Sequence, residues 1–326
     1  MTAAEFEPGQ VQRVLARHRP RMGEPIFRAL VALASLTVLL VIAGLVLVIA
    51  SQSIEGIRHN GVAFLWGTTW DPVHSIFGAL PFIYGTLLTS FTALVLAMLI
   101  GVGVALFLVE MAPPWLAGPL GFMTEMLAAI PSVVYGLWGI FVLAPWLRDF
   151  VEMPLHDTLG WLPFFSGNPI GIGNFAAVVV LTIMILPTVA AVSRDVIRAV
   201  PLAQREAALA LGATRWETIR IGVLPYARSG ILGAGILGLA RGVGETMAVT
   251  MVIGNAPTIS LSFFSQGYTM ASVIANEFTE ATTDLYRSSL IEIGLLLLVV
   301  TLLINAAARL LVWRASYSAG SRSLLA

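Results

Sequence analysis

Glu206-Ala-Ala-Leu-Ala-Leu-Gly-Ala-Thr-Arg-Trp-Glu-Thr-Ile-Arg-Ile-Gly-Val-Leu-Pro225 is the one long polar stretch lying between two apolar runs that can each cross a membrane. Pro201 can open a short helix just ahead of it. Leu202, Leu209 and Leu211 then alternate with Gln204, Arg205 and Glu206 before Gly212 supplies a C-terminal stop. Thr214-Arg-Trp-Glu217 has the form of a capping box, in which hydroxyl and carboxylate satisfy orphan amides, so a second helix is expected to start there. It should run to about Leu224, with Pro225 closing it. The predicted product is a helix–Gly–helix knob with a mixed apolar and charged surface on one side of a bilayer.

The rest of the chain supports a membrane setting. Its 326 residues are 58% hydrophobic and 11% charged, and the mean hydropathy is +0.89, which excludes a soluble core and points to an all-α polytopic membrane protein. With Cys absent, neither a disulfide frame nor a thiolate metal site can form. The four His, at 18, 59, 74 and 156, lie outside the apolar runs without ligand spacing, so no metal or other cofactor is expected. All 18 basic residues are Arg. A P-loop needs a Lys to reach the β- and γ-phosphates, so the chain carries no ordinary nucleotide site of its own, and ATP-driven work would fall to another subunit.

Residues 1–25 read as a polar N-terminal tail without a cleavable signal pattern. Residues 26–50 form a nearly unbroken apolar run; roughly 20 residues rising 1.5 Å each cover a hydrocarbon core of about 30 Å, so this run can span alone. Further spans are predicted at about 80–109, 122–145, 174–193, 231–254 and 289–312, giving six transmembrane helices. Pro131 and Pro187 are expected to interrupt the third and fourth, marking a pathway where water or neighbours satisfy freed backbone groups. The natural division sets the first span and the loop 51–79 apart from a five-helix core at 80–313, followed by a tail at 314–326. On this topology fourteen of the eighteen Arg fall in the two tails, the loop 194–230 and, as Arg28 and Arg309, the adjoining ends of the first and last spans. The positive-inside rule then puts both termini and the polar knob in the cytoplasm. Trp66, Trp70, Trp146 and Trp161 near span ends suit an interfacial aromatic belt.

The fifth predicted span holds the second informative stretch. Gly230, Ala234, Gly238 and Gly242 recur every four residues, a smooth stripe on which another helix can sit closely. Beside it Arg241 and Glu245 are placed four apart on one helical face, with Arg241 about 15 Å into the span. A charge there costs on the order of 3 kcal/mol, so it is either paired or faces a cavity. Two readings stay open: an Arg241–Glu245 salt bridge that makes both tolerable, or an anion site in which the Arg fork receives an oxyanion. Glu245 would repel a fully deprotonated anion but can accept from the hydroxyl of protonated phosphate, which sulfate lacks at neutral pH. Glu125 and Glu292 are read as interfacial, locally satisfied and outside any substrate role.

The knob resembles the EAA loop of bacterial ABC-importer permeases: Glu206, Ala207, Ala208, Gly212, Leu224 and Pro225 match its pattern, and Gly222 departs from it where the pattern has Ile. Four runs extend the likeness over nearly the whole chain: Gly78-Ala-Leu-Pro-Phe-Ile-Tyr-Gly-Thr-Leu, Met126-Leu-Ala-Ala-Ile-Pro-Ser-Val-Val-Tyr-Gly-Leu-Trp-Gly, Gly238-Leu-Ala-Arg-Gly-Val-Gly-Glu-Thr-Met-Ala-Val-Thr and Gly254-Asn. These resemble PstC-type permeases of phosphate importers. The resemblance implies a type I importer permease (MetI-like) fold in the bacterial inner membrane. It implies a PstA-type second permease, a PstB-type ATPase homodimer, a PstS-type periplasmic phosphate-binding protein, inorganic phosphate as substrate, lipid contact and no nucleic acid. It places Arg241, Glu245 and Thr246 on the substrate path, and Glu206, Ala207, Ala208 and Gly212 at the ATPase contact. A permease for sulfate or molybdate and a secondary anion transporter are the alternatives. A membrane enzyme lacks a nucleophile–base or metal constellation.

Overall fold

A computed structural model describes residues 23–320; the expected tail 1–25 lies almost wholly outside them, whereas from 314 the last helix continues to Gly320 where a tail was expected. The described residues are mostly helical. Two units are distinguished: one ends at Ser51, the other runs from Gln52 onward. The first carries α1 (Gly23–Gln52), apolar on every side along its length, as expected of a helix solvated by lipid.

In the second unit the order is α2 (Ile54–Asn60), a 3₁₀ turn, a two-residue antiparallel ribbon β1–β2 (Trp70–Asp71 and Ile76–Phe77), and α3 (Leu80–Leu106). Then come α4 (Pro114–Ala129), α5 (Ser132–Trp138), α6 (Ala144–Leu147), α7 (Met153–Leu159) and α8 (Asn174–Arg198). The chain ends with α9 (Leu202–Ala210), α10 (Arg215–Thr218), α11 (Leu224–Val243), α12 (Met247–Val252), α13 (Met270–Glu277) and α14 (Asp284–Gly320). Six helical runs among the described residues are long and apolar enough to cross a bilayer.

Four π turns, at 107–111, 139–143, 148–152 and 219–223, explain where these runs depart from the sequence expectation. Each stands two residues before a proline: Pro113, Pro145, Pro154 and Pro225. In each, the residue just before the proline donates its amide five residues back: Ala112 to Phe107, Ala144 to Gly139, Met153 to Arg148 and Leu224 to Ile219. A proline inside an α-helix leaves a carbonyl unbonded and drives its ring into the preceding turn, and widening that turn relieves both. Pro225 therefore does not close the second knob helix. The run continues from Arg215 to Val243.

Other boundaries move as well. The expected third span at 122–145 is two helices: Ile130 and Pro131 are extended, ending α4, and the membrane-length run begins at Ser132 and reaches Leu159 through two π turns. Tyr135 bridges the gap by donating its hydroxyl to the Leu127 carbonyl at 2.7 Å, one of those left over at the end of α4. The fourth span extends to Arg198, and Pro187 does not interrupt it. The fifth ends at Val243 instead of continuing to 254.

The centre of the unit is α8, whose Ala176, Val180, Ile185 and Val189 are fully buried. Two small-residue stripes let neighbours approach it. On α11, a Cβ added to Gly238 would stand 2.8 Å from Ile185 Cγ2 and 3.0 Å from Val189 Cγ2. On α3, Gly85, Thr89, Ala93, Ala97, Gly101 and Ala105 repeat every four residues and are all buried. Without a hydrophobic drive between helices in lipid, such close backbone contact supplies the association energy.

Replacing Gly238 by Leu should overpack this contact by about 1–3 kcal/mol. Gly233 has nothing within 4 Å of an added Cβ. Thermal melting of the detergent-solubilised protein should therefore shift down clearly for Gly238→Leu and scarcely for Gly233→Leu.

Candidate functional site

The residues that the sequence singles out lie in two places: the end of α11 and the knob. Arg241 lies in the last turn of α11, where a cation complements the helix dipole. The helix stops at Val243, and Gly244, Glu245 and Thr246 form a break before α12. Arg241 and Glu245 thus do not share a helical face, and no carboxylate stands within ion-pair distance of Arg241 among the described residues. The salt-bridge reading is not realised. Helix geometry separates them: four residues make a facing pair only while the backbone continues helically.

Each group has a different occupation instead. Arg241 Nη1 reaches Thr188 Oγ1 of α8 at 3.5 Å, a long contact at the limit of hydrogen bonding. Thr188 lies ten residues before the end of α8, about 15 Å along its axis. Arg241 is therefore level with the middle of the most buried span, α8, but stands in the last turn of its own helical run and not midway along it, because that run begins at Arg215 and ends at Val243. Glu245 turns back as a cap, Oε1 accepting from the Ala248 amide at 3.3 Å in the first turn of α12. Thr246 donates to the Gly244 carbonyl at 3.3 Å, and its own carbonyl accepts from the Thr250 hydroxyl at 2.7 Å. Arg241, Glu245 and Thr246 are all half-buried. Thr188 carries no sequence motif; its place beside Arg241 appears only when α8 and α11 are packed.

The knob follows the sequence closely up to Thr218. Gly212 adopts φ +83°, and the amides of Gly212 and Ala213 return to the carbonyls of Leu209 (2.9 Å) and Ala208 (3.2 Å), a Schellman end to α9. Thr214 then caps α10: its hydroxyl accepts from the Glu217 amide at 3.3 Å while Glu217 Oε2 accepts from the Thr214 amide at 2.7 Å. Gly222 faces α9 so closely that a Cβ there would stand 3.1 Å from the Gln204 carbonyl oxygen and 3.9 Å from Ala208 Cβ. Glycine at this position lets the two knob helices touch at backbone level. Ile219 and Val223, one turn apart, point inward and are buried, while Ile221 is exposed.

Of the matched residues, Ala208 is buried inside the knob, whereas Glu206 and Ala207 are exposed. Around them Leu209, Leu211 (87% exposed) and Trp216 (62% exposed) form apolar surface on an otherwise polar element, the pattern of a protein contact. Glu125 pairs with Arg194 at 2.5 Å, and Glu292 accepts from Asn60 at 3.0 Å, local partners for both. Among the described residues no cluster of His, Asp or Glu is arranged to hold a metal.

Residues 97–317 match the family of binding-protein-dependent transport system inner membrane components. Phosphate transport system permease proteins PstC are similar over most of the chain. That of Mesorhizobium japonicum is 44% identical, covering 91% of this chain and 92% of its own. That of Haemophilus influenzae is 44% identical over 91% and 95%, and PstC 2 of Mycobacterium tuberculosis 42% identical over 89% and 91%. Among solved structures, a chain of the MetNI methionine ABC transporter in an inward-facing conformation, from a native crystal form, superposes with a TM-score of 0.56 at 20% identity. That superposition covers 76% of this chain and 99% of the other, and it shows the fold of a type I ABC importer permease.

The Glu245 cap can be tested directly. Glu245→Ala should raise amide hydrogen exchange at 247–250 about fivefold, as expected for loss of about 1 kcal/mol of capping. Glu245→Gln retains an acceptor oxygen, so mass-spectrometric exchange there should stay at the wild-type level.

Proposed function

The chain belongs to the family of binding-protein-dependent transport system inner membrane components, and we propose that it is the PstC-type permease of an ATP-driven phosphate importer. One observation carries the assignment of the path: a guanidinium at mid-depth of the helix bundle, in contact with a threonine hydroxyl and without a carboxylate partner among the described residues. A permanent cation in such a place is stabilised by an anion that passes through. Arg241 offers the planar fork that receives two phosphate oxygens, and Thr188 adds a hydroxyl able to donate or accept. Glu245 uses one carboxylate oxygen on the Ala248 amide. Its other oxygen accepts from the hydroxyl of protonated phosphate, which favours phosphate over sulfate. Thr246 completes the polar lining of the break.

Supply and drive come from partners. A periplasmic binding protein of the PstS type delivers phosphate, a PstA-type permease lines the other half of the path, and a PstB-type ATPase dimer binds the nucleotide. Glu206, Ala207 and the exposed Leu209, Leu211 and Trp216 form the cytoplasmic docking face. Ala208 and Gly212 keep that face rigid, so closure of the ATPase is passed on as movement of the attached helices and the path switches sides. The concentration of Arg in the tails and the knob loop supports this orientation.

In vesicles holding the complete transporter, ATP should drive phosphate uptake. Arg241→Ala should abolish that uptake while the complex still purifies with its ATPase; retained uptake removes Arg241 from the path. Glu245→Gln should lower the preference for phosphate over sulfate in the same assay, and an unchanged ratio removes Glu245 from selection. Gly212→Leu, which forces a branched side chain to φ +83°, should leave insertion intact and uncouple ATP hydrolysis from uptake.

A further inference from the structure

Arg205, the residue just before Glu206, is turned away from the docking face and into the permease. Its Nε and Nη2 donate to Glu110 Oε1 at 3.1 and 2.9 Å, Nη2 also donates to the Ile197 carbonyl at 2.8 Å, and Nη1 donates to the Val200 carbonyl. The two side chains are only 17% and 13% exposed. Ile197 lies in the last turn of α8 and Val200 just beyond it, while Glu110 lies in the π turn that ends the α3 run. One guanidinium therefore ties the first knob helix to the ends of two different spans.

The two ties differ in kind. α8 is joined to α9 through 199–201, so it follows the knob through the chain itself. α3 is more than ninety residues away in sequence, and besides the Arg205 fork it meets this region through apolar packing of Ala105, Leu106 and Val109 against Ile197, Val200 and Val223. Apolar packing is non-directional and permits sliding, whereas a charge-assisted fork holds one distance and one orientation. As a stability device the pair is poor, since withdrawing two charges from water offsets most of their attraction. Its distinctive property is directional stiffness between elements that have no covalent link.

We propose that Arg205 and Glu110 are positioning residues for transport, a strut through which the knob moves the second span together with the fourth. The inference rests on the reading of residues 202–225 as the ATPase-coupled knob. It predicts that breaking the strut spares nucleotide hydrolysis and weakens its conversion into transport.

The test uses the complete transporter in vesicles, with ATP hydrolysis and phosphate uptake measured on the same preparation. Glu110→Ala should keep hydrolysis within about twofold of wild type and lower phosphate taken up per ATP by about fivefold or more. The double variant Glu110→Ala/Arg205→Gln should be no worse than Arg205→Gln alone, because both substitutions remove one interaction. If Glu110→Ala fails to assemble, Arg205→Lys serves in its place: it keeps the charge but cannot bridge Glu110 and both carbonyls, and it should show the same loss of coupling. Wild-type uptake per ATP in Glu110→Ala or in Arg205→Lys, or independent multiplied losses in the double variant, overturns the strut. A wild-type complex that hydrolyses ATP without phosphate uptake defeats the importer reading itself, a result distinct from either.

Discussion

Hydrocarbon offers no hydrogen bond to a backbone amide or carbonyl, so a chain with prolines in its spans must satisfy its helices from within. Here the solution recurs. Before Pro113, Pro145, Pro154 and Pro225 the helix widens into a π turn, and the residue preceding each proline bonds five residues back. The consequence at Pro145, Pro154 and Pro225 is continuity, since the helical run passes each proline unbroken. At Pro113 the same turn ends the run and presents Glu110 towards Arg205. Continuity through Pro225 matters most, because it makes the second knob helix and the fifth span one rod from Arg215 to Val243.

That rod and α3 are both applied to α8 by surfaces of small residues. Such surfaces set a short distance between the helices without fixing their slide along one another. Arg241 is delivered to mid-depth by this packing: Gly238 and Gly242 seat α11 on Ile185, and the Arg fork then falls beside Thr188. Glycine at 222 does the equivalent work in the knob, drawing α9 onto the widened turn at Gln204. The result is that Arg241 and the second knob helix are carried by a single helical run.

The ordering of polar groups divides along the same line. Groups on the knob's outer face, Glu206 among them, are exposed, while Arg205 one residue earlier is folded inward upon Glu110. Adjacent helical positions point about 100° apart, so one short helix presents a contact outward and a tie inward at once. At the break after Val243, one carboxylate turns back to cap α12 and does not pair with Arg241 four residues earlier.

Local signals were legible without any structure. The stop at Gly212, the capping box at Thr214–Glu217 and the small-residue stripe from Gly230 to Gly242 each depend on neighbours within four residues, and each is found as read. The apolar content and six runs of spanning length likewise follow from composition, because lipid rewards hydrophobicity position by position. The misread places are those where the partner is remote. Pro131 breaks its helix as read, but whether Pro187 and Pro225 do so depends on what satisfies the freed carbonyls, and the separation of Arg241 from Glu245 depends on where α11 ends. The meetings of Arg241 with Thr188 and of Arg205 with Glu110 join residues 53 and 95 positions apart. Sequence alone determined the class of molecule and the form of its knob; tertiary structure decided which charges face which partners, since a side chain's neighbour across a helix contact leaves no periodic trace in its own segment.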